Sequence, residues 1–76
     1  MIQGVALRRG AEIVSMAEPA RHHDLFGLVE DAPEWEQGFV DDKGTFFTRR
    51  AAAVLALRFG QVKWLRHEEL FSEDLW

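Results

Sequence analysis

Two-residue alternation opens the chain. Across residues 3–16, Val5 and Leu7 alternate with Ala6 and Arg8, and Ile13 and Val14 follow an Arg9-Gly10 step. That is the period of half-buried strands around a tight turn, with Gly10 supplying the positive φ. The period then changes. His22, Leu25, Phe26 and Val29 recur at i, i+3, i+4 and i+7, which predicts a helix over residues 21–31 with one apolar face. Pro19 suits its first turn and Pro33 ends it. Strands return at residues 37–40 and 45–47, where Phe39, Phe46 and Phe47 flank Asp41-Asp42-Lys43-Gly44, a type I turn closed by a left-handed glycine. Thr48 is a natural N-cap and Gly60 the expected glycine beyond the last turn, framing a second helix over residues 49–59. Its expected apolar face is Ala52, Leu55, Ala56 and Phe59, extended by Val54 and Leu57, and the three consecutive alanines at 51–53 allow close approach to a sheet. Residues 62–65 alternate like a short fifth strand. Ser72 is placed to cap one terminal turn, and Leu70, Phe71, Leu75 and Trp76 are expected to pack back on the body.

These elements predict one α+β domain over residues 1–76. The order is ββαββα, an antiparallel sheet with helices on one face. Composition narrows what such a domain can do. A chain of 76 residues buries only about 60% of its unfolded surface, and the absence of cysteine removes disulfides and thiolate zinc sites. Six Phe and three Trp must supply much of the core. A homodimer would add more.

Thirteen acidic against nine basic side chains give a net charge of −4, which disfavours general nucleic-acid binding and attachment to anionic membranes. The chain holds no apolar run near the roughly 20 residues that span a bilayer, and its first residues lack the order of a signal peptide. A cytoplasmic protein is therefore expected. Gly-rich phosphate loops, EF-hand loops and zinc spacings are absent, so neither cofactor nor metal is expected.

Three groups of residues could carry function. Arg21-His22-His23-Asp24 resembles a general base with an orienting carboxylate. Neighbouring helical residues diverge by about 100°, however, so His22 and His23 cannot share a metal, and a packed His22 is the favoured reading. A site using all three histidines would also need His67. The second group, Arg49 and Arg50, places positive charge in a first helical turn, where the helix dipole opposes it. Either they pair with Asp24, Glu36, Asp41 or Asp42, or they clamp a partner's carboxylate or phosphate. The third group, Glu34, Glu36, Asp41 and Asp42 around Trp35, could form an acidic docking face if Trp35 is exposed.

Several fragments together resemble a known group: RHHD at 21–24, EQGF at 36–39, GTFFTRRAA at 44–52, FGQ at 59–61 and LFSEDLW at 70–76. They are similar to short proteins encoded by bacteriophages, prophages and other mobile elements. The likeness runs over residues 21–76 and leaves out the first hairpin. It implies a phage or mobile-element origin and no catalytic residues. Small acidic proteins of such genomes resemble inhibitors of host defence, anti-CRISPR proteins among them. The expected partner is accordingly a host protein or complex, met at Glu34, Trp35, Glu36, Asp41, Asp42, Arg49 and Arg50. The alternatives are a small enzyme or ligand-binding protein using His22, His23 and Asp24, and a dimeric structural or regulatory module.

Overall fold

The most apolar strand takes the middle of the sheet. In the computed structural model, which describes residues 1–65 and 68–76, β1 (Ile2–Arg9) lies between β2 (Glu12–Ala17) and β3 (Glu36–Asp41). The short β4 (Phe46–Thr48) completes the order β2-β1-β3-β4, every pair antiparallel. Val5 faces Met16 and Phe39 across the two ladders, and Leu7 faces Val14 and Gln37, so one pleat face gathers the apolar side chains. Helices α1 (His22–Phe26), α2 (Arg49–Arg58) and α3 (Ser72–Leu75) follow the strands in sequence. Leu25, Ala52, Ala53, Ala56 and Leu70 close over Ile2, Val5, Leu7 and Phe39 in one cluster. This is the expected small α+β domain, with its helices on one face of the sheet.

Four local expectations are corrected. The first helix ends at Phe26 rather than at residue 31. Glycine weakens a helix by about 1 kcal/mol relative to alanine, and Gly27 becomes the C-cap. The chain then turns through Asp31 in the left-handed region into a 3-10 turn, Ala32–Glu34, that holds Pro33. Only His22 and Leu25 of the predicted apolar face are buried; Phe26 lies at the surface, while Val29 packs against the core from the turn beyond.

Residues 62–65 form no strand. The backbone groups of Ile2 that such a strand could have paired are taken by the Gln61 amide instead. Its Oε1 accepts from the Ile2 N–H at 2.8 Å and its Nε2 donates to the Ile2 carbonyl at 2.9 Å. Ser72 does not cap α3 but begins it, buried; Phe71 holds the N-cap position, and its N–H donates to Asp74 Oδ2 at 2.9 Å. Helix α2 differs in which face it buries. Thr48 caps it as expected, accepting from the Ala51 N–H at 3.2 Å, yet the buried residues are Ala52, Ala53 and Ala56. Val54, Leu57 and Phe59 point to solvent.

The terminal segment packs back on the body. Leu70 is fully buried and its N–H donates to the Arg49 carbonyl at 3.0 Å. Trp76 Nε1 donates to the Ala20 carbonyl at 2.7 Å, and Arg21 donates to the Trp76 carbonyl.

Gly38 is the position with least freedom. A Cβ there would lie 2.3 Å from the Phe47 carbonyl oxygen and 2.4 Å from the Phe46 ring. Gly38→Ala is expected to lower the unfolding free energy by about 1–3 kcal/mol through overpacking, read as a lower urea midpoint at unchanged slope. An unchanged midpoint would show that the Phe47 backbone and the Phe46 ring can both shift away from position 38 at no cost.

Candidate functional site

The histidine cluster separates on folding. His22 is 5% exposed and its ring meets Phe39 edge-on at 5.0 Å. Its Nε2 lies 2.7 Å from the Gly38 carbonyl, an acceptor only, so Nε2 carries the proton and donates. Nδ1 is then the acceptor, and Arg49 Nη2 approaches it at 3.5 Å. Burial, and then the Arg49 charge, push the His22 pKa below its ordinary value despite the Gly38 bond. His23 points to solvent beside Asp24, Nε2 to Oδ1 at 3.4 Å. The other Asp24 oxygen accepts from the Arg21 N–H at 2.8 Å and ties down the start of α1. His22 is thus engaged in holding α1 to β3, and His23 and Asp24 do not join it around a common centre. Among the described residues no group of three or more His, Asp or Glu is arranged to hold a metal. His67 lies outside the described residues.

The arginine pair sits at the mouth of the larger cavity. A cleft of about 470 Å³ opens between β3 and the start of α2, lined by Trp35, Gln37, Thr48, Arg49 and Arg50 with Glu36 and Glu69. Arg50 is exposed and pairs with Glu68 at 2.8 Å. Arg49 runs under the cleft. Its Nη2 donates to Gln37 Oε1 at 2.6 Å, and its guanidinium lies over the Phe71 ring at 4.6 Å. Its Nε is buried without a hydrogen-bond partner among the described residues. Neither arginine pairs with Asp24, Glu36, Asp41 or Asp42, and no carboxylate of the described residues forms an ion pair with Arg49. Burial lowers the Arg49 pKa, opposed by the more distant charges of Glu69 and Glu73. A second, smaller cavity of about 310 Å³ lies among Phe26, Ala32, Pro33 and Gln37 and is chiefly apolar.

The acidic residues do not form one patch. Glu36 and Asp41 stand at opposite ends of β3, about 17 Å apart at the usual strand rise. Glu36 pairs with Arg8, which also covers the Phe46 ring. Asp41 is committed to its turn: Oδ1 accepts from the Lys43 and Thr45 N–H groups at 2.9 Å each, and the Thr45 bond foremost holds its carboxyl below the usual range. Asp42 lies 3.7 Å from the amino group of Met1, and Glu34 is exposed. Trp35 is 7% exposed, stacked under Arg9 at 4.7 Å and donating to the Glu30 carbonyl at 3.1 Å. It is a wall of the core and of the cleft rather than an exposed anchor. Sequence reasoning missed Gln37, although strand alternation puts it on the buried face with Phe39. A polar residue at such a position signals an internal partner, here Arg49.

Fold and cleft together define a small α+β protein with a polar, arginine-lined cleft beside its sheet. Residues 2–76 match the model of the phage T4 y16D protein family, so the chain belongs to that family and is a small phage protein. The match takes in the first hairpin, which the motif resemblance had left outside. No curated protein and no solved structure matches the chain. No helix among the described residues is long and apolar enough to cross a membrane.

The His22 geometry sets a pH response. Its folded pKa lies below the unfolded value of about 6.5, so in that window the unfolded chain binds the extra proton and stability is lost as pH is lowered. The loss begins as pH drops through the unfolded value and levels off below the folded one. His22→Gln is expected to be less stable than the natural protein at pH 7.5, yet to lose less on going to pH 5.5. Urea midpoints across that range measure the difference, and parallel curves would remove His22 as the titrating group.

Proposed function

We propose that this phage protein acts by binding a host protein and obstructing it, with a host defence complex as the class of target. The cleft between β3 and α2 is the contact surface in this reading, and Arg49 carries it. A half-buried guanidinium bears desolvation while no carboxylate of the described residues forms an ion pair with it, and only the more distant charges of Glu69 and Glu73 offset that cost. A binding surface can hold such a charge when the partner brings the counter-ion.

The surrounding charges favour a carboxylate over a phosphate. Arg50 is already paired with Glu68 and Glu36 with Arg8, leaving Arg49 and Glu69 as the lining charges without an ion pair among the described residues. A monoanion matches one guanidinium, whereas a dianion would meet Glu69 with charge to spare. Blockade by a continuous acidic face is less well supported, because Glu36 and Asp41 lie at opposite ends of β3.

Arg49→Met separates folding from binding. The substitution removes a desolvated charge but also the Gln37 hydrogen bond and the Phe71 contact, so a modest fall in melting temperature with the fold retained is expected, and circular dichroism verifies the fold before binding is read. The same variant, tagged and incubated with host-cell lysate, is expected to lose the protein that the natural chain retains in stoichiometric amount. The pair Glu34→Lys with Asp42→Lys is expected to keep it. Retention by Arg49→Met and loss by the acidic pair would move the contact to the acidic residues.

A further inference from the structure

Helix α2 buries its smallest side chains and exposes its larger ones. Ala52, Ala53 and Ala56 face the sheet, while Val54 is 56% and Leu57 45% exposed. Residues 50, 51, 54, 57 and 58 share the outward face by helical period. That face has an order of its own: Ala51, Val54 and Leu57 form an apolar centre, with Arg50 at one end and Arg58 at the other, about 12 Å apart along the axis. Helix α2 holds three arginines and no acid, in a chain whose net charge is −4. An apolar stripe between two cations is thus concentrated on one element of an acidic protein, and the described residues leave about half of it open to solvent.

Charge selects the occupant. A second copy packed antiparallel would set Arg50 against Arg58 at both ends with only Glu68 to divide between the two cations, and a parallel copy would set each arginine against itself; neither brings the further carboxylate that the cations lack. A nucleic acid would satisfy the arginines but leave Val54 and Leu57 facing phosphates. A protein helix with apolar residues along its middle and carboxylates at its rims satisfies both features. Arg50 already shows the rim contact with Glu68, and that pair is exposed on both sides and readily exchanged.

We propose that the outward face of α2 is the docking surface for an acidic amphipathic helix of the host protein, its apolar side chains covering Ala51, Val54 and Leu57 and its carboxylates reaching Arg50 and Arg58. The inference rests on the protein-binding reading above and extends it from the cleft along the helix.

A photo-crosslinking residue placed at Val54, with a control at the exposed Ser15 on the far strand β2, tests it in nuclease-treated host-cell lysate. The expected product is an adduct from position 54 to an acidic, helical segment of a host protein, with none from position 15. Leu57→Glu and Arg58→Glu, each verified as folded by circular dichroism, are expected to cut the yield at least about tenfold, the effect of losing a central interface contact. An adduct from position 15 but not 54 overturns the α2 surface and leaves the protein-binding reading standing. No host-protein adduct from either position, together with no retained partner, overturns both. An adduct joining two copies of this chain, an adduct to nucleic acid in untreated lysate, or a basic target segment would each overturn the proposed occupant.

Discussion

The hydrogen bond from His22 Nε2 to the Gly38 carbonyl stands where α1, β3 and α2 meet. It commits the ring to one tautomer and turns its lone pair toward Arg49. Arg49 can then extend from the first turn of α2, with Gln37 below it and the Phe71 ring against its plane. On the opposite pleat face, Gly38 leaves room for Phe46, which Arg8 covers in turn. A polar contact of this kind adds little net stability when made and costs more when half of it is lost. Its value here is geometric, because it sets the depth at which the Arg49 charge is held.

Much of the architecture was legible because several local signals agreed. The two hairpins, the Thr48 cap and the Gly60 terminus each rest on a rule about backbone geometry that tertiary packing rarely overrides. What failed depended on information that a linear pattern does not hold. The helical period through Val29 was real, but Gly27 ended the helix before the period did. The alternation at residues 62–65 described one buried anchor, Val62, in a segment joined to the sheet by the Gln61 side chain. On α2 the alanines were legible as the close-packing residues, but Val54, Leu57 and Phe59 were placed on the same face because hydrophobic size was taken to predict burial. Close packing against the sheet selected alanine instead.

The candidate site was legible by residue and not by arrangement. Arg49 and Arg50 stood out because positive charge opposes a helix start, and both line the cleft. Their intramolecular partners were not among the acids nearest in sequence. Arg50 reached Glu68 across the fold, and Arg49 found a neutral amide. The acidic residues were close along the chain and became distant once β3 extended between them. His22 was more informative about folding than about chemistry, since both its ring nitrogens face other parts of the chain.

The alanine face of α2 also bears on how this protein can change over generations. Ala52, Ala53 and Ala56 are pinned by contact with the sheet, where any larger residue would have to push layers apart. Residues 51, 54, 57 and 58 touch solvent and carry no such restriction. Packing and display share one helix but no side chain, so the outer surface can vary while the scaffold stays constant. A lineage bearing this fold could alter what it recognises one substitution at a time, without crossing an unfolded intermediate.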